Sequence, residues 1–180
     1  MIFKNVYDFS DILSAISIVL VIIGGAFAYY QWRKSISLKR ASYINDLTEK
    51  IRSDPDIKDC VYLFDYNINW YLAQFHGDTE LELKIDKTLS YFSYICYLKK
   101  QNVISGQEFK FFQYEVERTL MNTGVQDYFY NLYHFASKFN VPFTFVYLLD
   151  YGKKNNLLAN GFFDKKAYKT NCFFHHNLNF

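Results

Sequence analysis

The stretch Ile12-Leu13-Ser14-Ala15-Ile16-Ser17-Ile18-Val19-Leu20-Val21-Ile22-Ile23-Gly24-Gly25-Ala26-Phe27-Ala28-Tyr29-Tyr30-Gln31-Trp32 contains no charged side chain. The arrangement of the remaining chain follows from where this segment can lie. Its length matches the roughly 20 residues an α-helix needs to cross about 30 Å of hydrocarbon. Tyr29, Tyr30 and Trp32 gather at one end, where amphipathic rings favour the membrane–water boundary. A single transmembrane helix over residues 12–32 is predicted. Two other readings compete with it. Ala26-Phe27-Ala28 has the A-x-A form of a signal-peptidase site, but a signal peptide begins with a positive flank. Here Lys4 is set against Asp8 and Asp11, and Arg33, Lys34, Lys39 and Arg40 follow the span as a stop-transfer signal. A buried core helix of a soluble protein is disfavoured because uncharged runs there usually extend only about 10–14 residues.

The flanks also set orientation. Six basic residues (Arg33, Lys34, Lys39, Arg40, Lys50 and Arg52) lie between positions 33 and 52, against Lys4 alone before the span. The positive-inside bias then places residues 1–11 outside and the C-terminal part in the cytoplasm. The basic run meets anionic lipid headgroups. From Ala26 to Asp54 there is no Gly or Pro, so the membrane helix is expected to continue through a juxtamembrane stalk over residues 33–54. Ile36, Tyr43, Ile44, Leu47 and Ile51 supply a rough apolar face there.

Residues 33–180 are enough for one domain with a real core. The net charge of +2 is close to neutral and its excess adjoins the span, so no groove for duplex nucleic acid is expected. Cys60, Cys96 and Cys172 show no C-x-x-C spacing, which fits reduced thiols, those at 60 and 96 packing as small hydrophobes.

Helical periodicity and capping residues divide the cytosolic part into a bundle over residues 55–152. Ser53-Asp54-Pro55-Asp56 stops one helix and starts the next. Ile57, Val61, Phe64, Ile68 and Leu72 predict a second helix ending at His76-Gly77-Asp78. A third, capped by Thr79 or Asp78, runs to about Lys100 with Ile85, Leu89, Phe92 and Cys96 on one face. Glu80 and Lys84 form an i, i+4 pair. Ser105-Gly106-Gln107-Glu108 is a capping box, stapled by Ile104 and Phe109. It opens a fourth helix carrying Phe109, Phe112, Val116 and Leu120 and stopping around Asn122-Thr123-Gly124. A fifth helix places Val125, Tyr128, Leu132 and Phe135 on one face and ends before Asn140. Pro142–Tyr151 is ambiguous between strand and helix, and a short helix ending at Gly152 is preferred. Residues 153–180 form a weakly structured tail, with a helical turn near Leu157-Leu158. The fold class is all-α.

No constellation supplies catalytic chemistry. Cys172, His175 and His176 are zinc-type ligands, but the second pair of a structural site is missing. Glu115 and Glu117, two apart, do not share a helix face and belong to a solvated one. Asp65, Asp127 and His134 are isolated. Nucleotide-binding, metalloprotease and hydrolase motifs are absent, so no enzyme, no cofactor and no metal is expected. Gly24 and Ala28 stand four apart in the span. This small-x-x-x-small spacing allows close helix packing and a homo-oligomer.

The run Ile85-Asp86-Lys87-Thr88-Leu89-Ser90-Tyr91-Phe92-Ser93-Tyr94-Ile95-Cys96-Tyr97-Leu98, with Val103-Ile104-Ser105 and Glu108-Phe109, resembles uncharacterised bacterial single-span proteins with a helical cytosolic domain. The resemblance covers roughly residues 10–152 and carries over no functional residue. Some such proteins are encoded beside phage-defence systems, including retrons and CRISPR systems that signal through cyclic oligonucleotides. The resemblance therefore implies a membrane effector, triggered by a cyclic oligonucleotide or a defence-system protein partner. A membrane tether that positions a partner is the alternative.

Overall fold

In the computed structural model, which describes residues 8–66, 70–72, 79–158, 161, 164, 169 and 178, six α-helices follow one another. They are α1 (Phe9–Ser53), α2 (Pro55–Asp65), α3 (Glu80–Lys100), α4 (Gly106–Met121), α5 (Thr123–Phe139) and α6 (Val146–Lys154). The protein is all-helical, one long apolar N-terminal helix preceding the shorter ones. It divides into two compact units, Met1–Asp46 and Leu47–Phe180.

In the first unit, the Asp8 carboxylate accepts the Phe9 N–H at 2.8 Å and starts α1. Asp11 adds a second acid where the helix dipole favours negative charge. Lacking Gly and Pro after Gly25, the helix then runs unbroken to Ser53. It is long and apolar enough to cross a membrane, and none of its most apolar 18-residue window is buried. A core helix would have these side chains covered by its neighbours.

In the second unit, the last turns of α1 join the core through Leu47 and Ile51, both buried. The Tyr91 hydroxyl donates to the Leu47 carbonyl, and the Lys50 ammonium lies over the Tyr91 ring. Asp54 caps α2, its carboxylate accepting the Asp56 and Ile57 N–H groups, with Pro55 at the first helical position. Lys87 then ties both Asp54 (2.9 Å) and Asp56 (2.8 Å) to α3.

α3 is the hub, packing on α2, α4 and α6. Ile85, Leu89, Phe92 and Cys96 are buried as predicted, and so are Thr88, Tyr91, Ser93, Ile95 and Leu98. With neighbours on several sides, burial spreads well beyond one stripe. Thr79 caps it through the Glu82 N–H, and Glu80 pairs with Lys84 at 2.9 Å. It closes on Asn102 in the left-handed region (φ 55°), a conformation that asparagine tolerates.

The Ser105–Glu108 capping box forms in full, with Ile104 and Phe109 both buried beside it. All four predicted apolar residues of α4 are buried. Asn122 then ends α4 and caps α5, its Oδ1 accepting the Val125 N–H.

Four expectations are corrected. The helix that opens at Pro55 ends at Asp65, well before His76-Gly77-Asp78, which lie outside the described residues together with Ile68. Its last carbonyls find side-chain donors instead: Arg118 Nη2 to Asp65 O (2.7 Å) and Asn122 Nδ2 to Phe64 O (3.2 Å). Leu72 is consequently off the helix and 62% exposed, while Trp70 and Tyr71 are buried. On α5, Val125 and Tyr128 are buried, but Leu132 is half-buried and Phe135 exposed. Phe129, Tyr130, Asn131 and His134 take the core positions, because Phe143 and Phe145 of the next segment pack on Phe129 with ring centroids 5.5 and 5.7 Å away. Finally, α6 passes through Gly152 to Lys154. A Cβ at Gly152 would lie 3.2 Å from Leu120 and Leu158 atoms, so this glycine serves close packing. Leu157 and Leu158 are half-buried beyond α6 without forming a helical turn.

Candidate functional site

Gly24 and Ala28 are both exposed on α1. A Cβ at Gly24 would meet nothing within 4 Å. Residues four apart share a helix face, so the small pair forms an open surface. Arg33, Lys34, Lys39 and Arg40 follow on the same helix, all exposed. The zinc-type residues Cys172, His175 and His176 lie outside the described residues.

The isolated ionisable residues of the second unit are committed to contacts instead. Asp65 accepts from Arg118 Nε at 3.1 Å, joining α2 to α4. Glu117 accepts from Gln113 and from the Tyr151 hydroxyl, both at 2.8 Å. Glu117 and Glu115 are half-buried, which corrects the solvated-face reading. Burial, with the Asp65 charge nearby, raises the Glu115 carboxyl above its ordinary value. His134 is fully buried against the rings of Tyr130 (4.4 Å) and Tyr133 (5.2 Å).

A cleft of about 610 Å³ opens between the end of α3, the start of α4 and one face of α6. α3 contributes Cys96, Lys99 and Lys100. Cys96 is buried, and desolvation pushes its thiol up to about 12, which removes it as a nucleophile at neutral pH. α6 contributes Tyr147, Tyr151 and Lys154 at positions i, i+4 and i+7 of one face.

Charge in the cleft is unbalanced, with three lysines against Asp150 alone. Lys100 pairs with Asp150 at 3.0 Å. Lys99 instead lies over the rings of Phe109 (3.8 Å) and Tyr151 (4.6 Å). Among the described residues no carboxylate lies within ion-pair distance of Lys99 or Lys154. Desolvation, reinforced by the Lys154 charge and opposed in part by the nearby Glu117 carboxylate, depresses the Lys99 pKa from its ordinary value.

Sequence reasoning passes over this cleft. Two lysines at a helix C-terminus are ordinary partners of its dipole, and an aromatic pair on a short helix reads as core. The Tyr147-x-x-x-Tyr151-x-x-Lys154 spacing was the available signal, and it acquires meaning only when α6 is docked beside Lys99. Comparison of the chain with protein-family models, with curated proteins and with solved structures finds no match.

Proposed function

We propose that the protein is a membrane-anchored bacterial effector of antiphage defence rather than an enzyme. Its helical domain faces the cytoplasm and receives a nucleotide signal or a partner protein, and its membrane helices assemble to perturb the inner membrane. The observation that carries this reading is the uncovered apolar helix running without a break into the helical unit. Hydrocarbon is the environment that suits so much exposed apolar surface. A continuous helix, with its backbone hydrogen bonds satisfied internally, gives a mechanical link between the bilayer and the domain. The open Gly24/Ala28 face supports self-association.

The test is loss of membrane potential, followed with a potential-sensitive dye in bacteria expressing the full chain with its defence neighbours during phage challenge. A potential that holds while the protein stays in the membrane fraction removes the effector reading. The second reading, a tether that positions a partner, then takes its place. It draws support from exposed aromatic side chains on α2 (Tyr62), at its C-cap (Tyr66) and on α4 (Phe111, Tyr114).

A further inference from the structure

The cleft between α3, α4 and α6 has the size and chemistry of a ligand site. Its volume of about 610 Å³ falls within the roughly 300–1,000 Å³ of small-molecule sites. Excess positive charge selects an anion. No arginine lines it, so an anion there meets compact ammonium groups acting as point charges, the way a lysine commonly holds a phosphate. A bare phosphate fills a small part of that volume. The remainder is walled by the half-buried Tyr147 ring, which packs against the Tyr97 ring at 4.9 Å and carries the Lys100 ammonium 5.2 Å from its centroid. An aromatic ring at the wall can stack a planar group, and Asn102 and Asn155 lie alongside as neutral hydrogen-bonding residues, the Asn155 amide also donating to the Tyr151 carbonyl.

We propose that this cleft binds a phosphate ester bearing a planar ring, of the nucleotide class, with the phosphate at Lys99 and Lys154 and the ring on Tyr147. The depressed pKa of Lys99 accords with a site that an anion completes, because a phosphate would return the stabilisation that desolvation removes from the ammonium. The assignment rests on the sensing role proposed above for the helical domain, and names the signal's chemistry and its seat.

The test is equilibrium dialysis of the full-length protein in phosphatidylcholine nanodiscs, using adenosine 5′-monophosphate, adenosine and inorganic phosphate as probes. The monophosphate should bind at least tenfold more tightly than adenosine, and inorganic phosphate should compete with it. Lys154→Gln should weaken monophosphate binding at least fivefold with an unchanged melting temperature, since its side chain is exposed. Lys99→Gln, which also loses two ring contacts, should weaken it further. Tyr147→Leu should weaken the monophosphate and leave inorganic phosphate unaffected. If nanodiscs containing phosphatidylglycerol suppress this binding and Lys154→Gln relieves the suppression, the same phosphate chemistry is being met by a lipid headgroup. Equal binding of adenosine and its monophosphate, or binding indifferent to Lys154 and Lys99, overturns the proposal, as does failure of the monophosphate to bind. Lysine-dependent binding with an unchanged membrane potential would keep the site and remove the effector reading. Loss of potential without such binding would do the reverse.

Discussion

Gly124 has room for a hydrogen and nothing larger. A Cβ there would lie 2.7 Å from Trp70 Nε1 and 2.8 Å from Cε2, and a rigid, buried indole has little freedom to retreat. Gly124→Ala should therefore destabilise the domain by about 1–3 kcal/mol, as overpacking does, read as a lower denaturation midpoint. Ser105→Ala removes the hydroxyl that accepts the Glu108 N–H and should cost about 1 kcal/mol on the same assay. An unchanged midpoint would mean that the cap contributes nothing. Asp54 gives the acid limb its shape. The Lys87 hydrogen bond is the largest cause holding its carboxyl below 3.8, so the native state binds this proton less readily than the unfolded chain does. Its stabilisation is full above the unfolded value and fades as pH falls through the lower folded one. Asp54→Asn should flatten the pH dependence of stability below about pH 4, and a retained slope would assign it to other carboxylates. The Ser105 cap could be read in advance because both partners lie within one turn. The Trp70–Asn122 and Arg118–Asp65 pairs span 52 and 53 residues, and nothing local to either partner announces the other.

Helices were legible where a cap or a clean apolar stripe marked them, as in α3 and α4. The boundaries failed where distant side chains intervened. α2 stops at Asp65 because Arg118 and Asn122 occupy its final carbonyls, although its apolar spacing continues to Leu72. α5 carries two aromatic stripes, and the contact with Phe143 and Phe145 selects between them. The cleft was illegible for the same reason, its walls coming from three elements. The junction of α1 with the compact unit allows a direct test at this scale. A fragment starting at Leu47 keeps the buried Leu47 and Ile51 and the acceptor of the Tyr91 hydroxyl. A fragment starting at Pro55 loses all three. The first should unfold cooperatively, and the second should be less stable by at least about 3 kcal/mol, the range of a large buried side chain removed from a core. Equal midpoints would show that the end of α1 contributes nothing to the unit.

For the whole molecule, one span cannot enclose a pore, so the effector reading requires several copies. Changing Gly24 and Ala28 together to Leu places branched side chains on the face available for close packing. The double variant should shift from oligomer toward monomer in detergent, by mass measurement, and on the effector reading should leave the membrane potential intact, while its helical unit melts unchanged. A wild-type chain that is monomeric under triggering conditions would leave only the tether. The two tryptophans of the chain fall one to each unit: Trp32 is 59% exposed on α1, and Trp70 is 8% exposed beside Gly124. Each unit thus carries its own fluorophore. Phe in place of Trp32 leaves emission from the α2–α5 junction alone, where a red shift registers the opening of that junction to water. Phe in place of Trp70 leaves a single emitter near the charged end of the apolar helix, whose quenching by brominated acyl chains measures its depth in a bilayer. Changes in the two units can then be timed separately in one polypeptide.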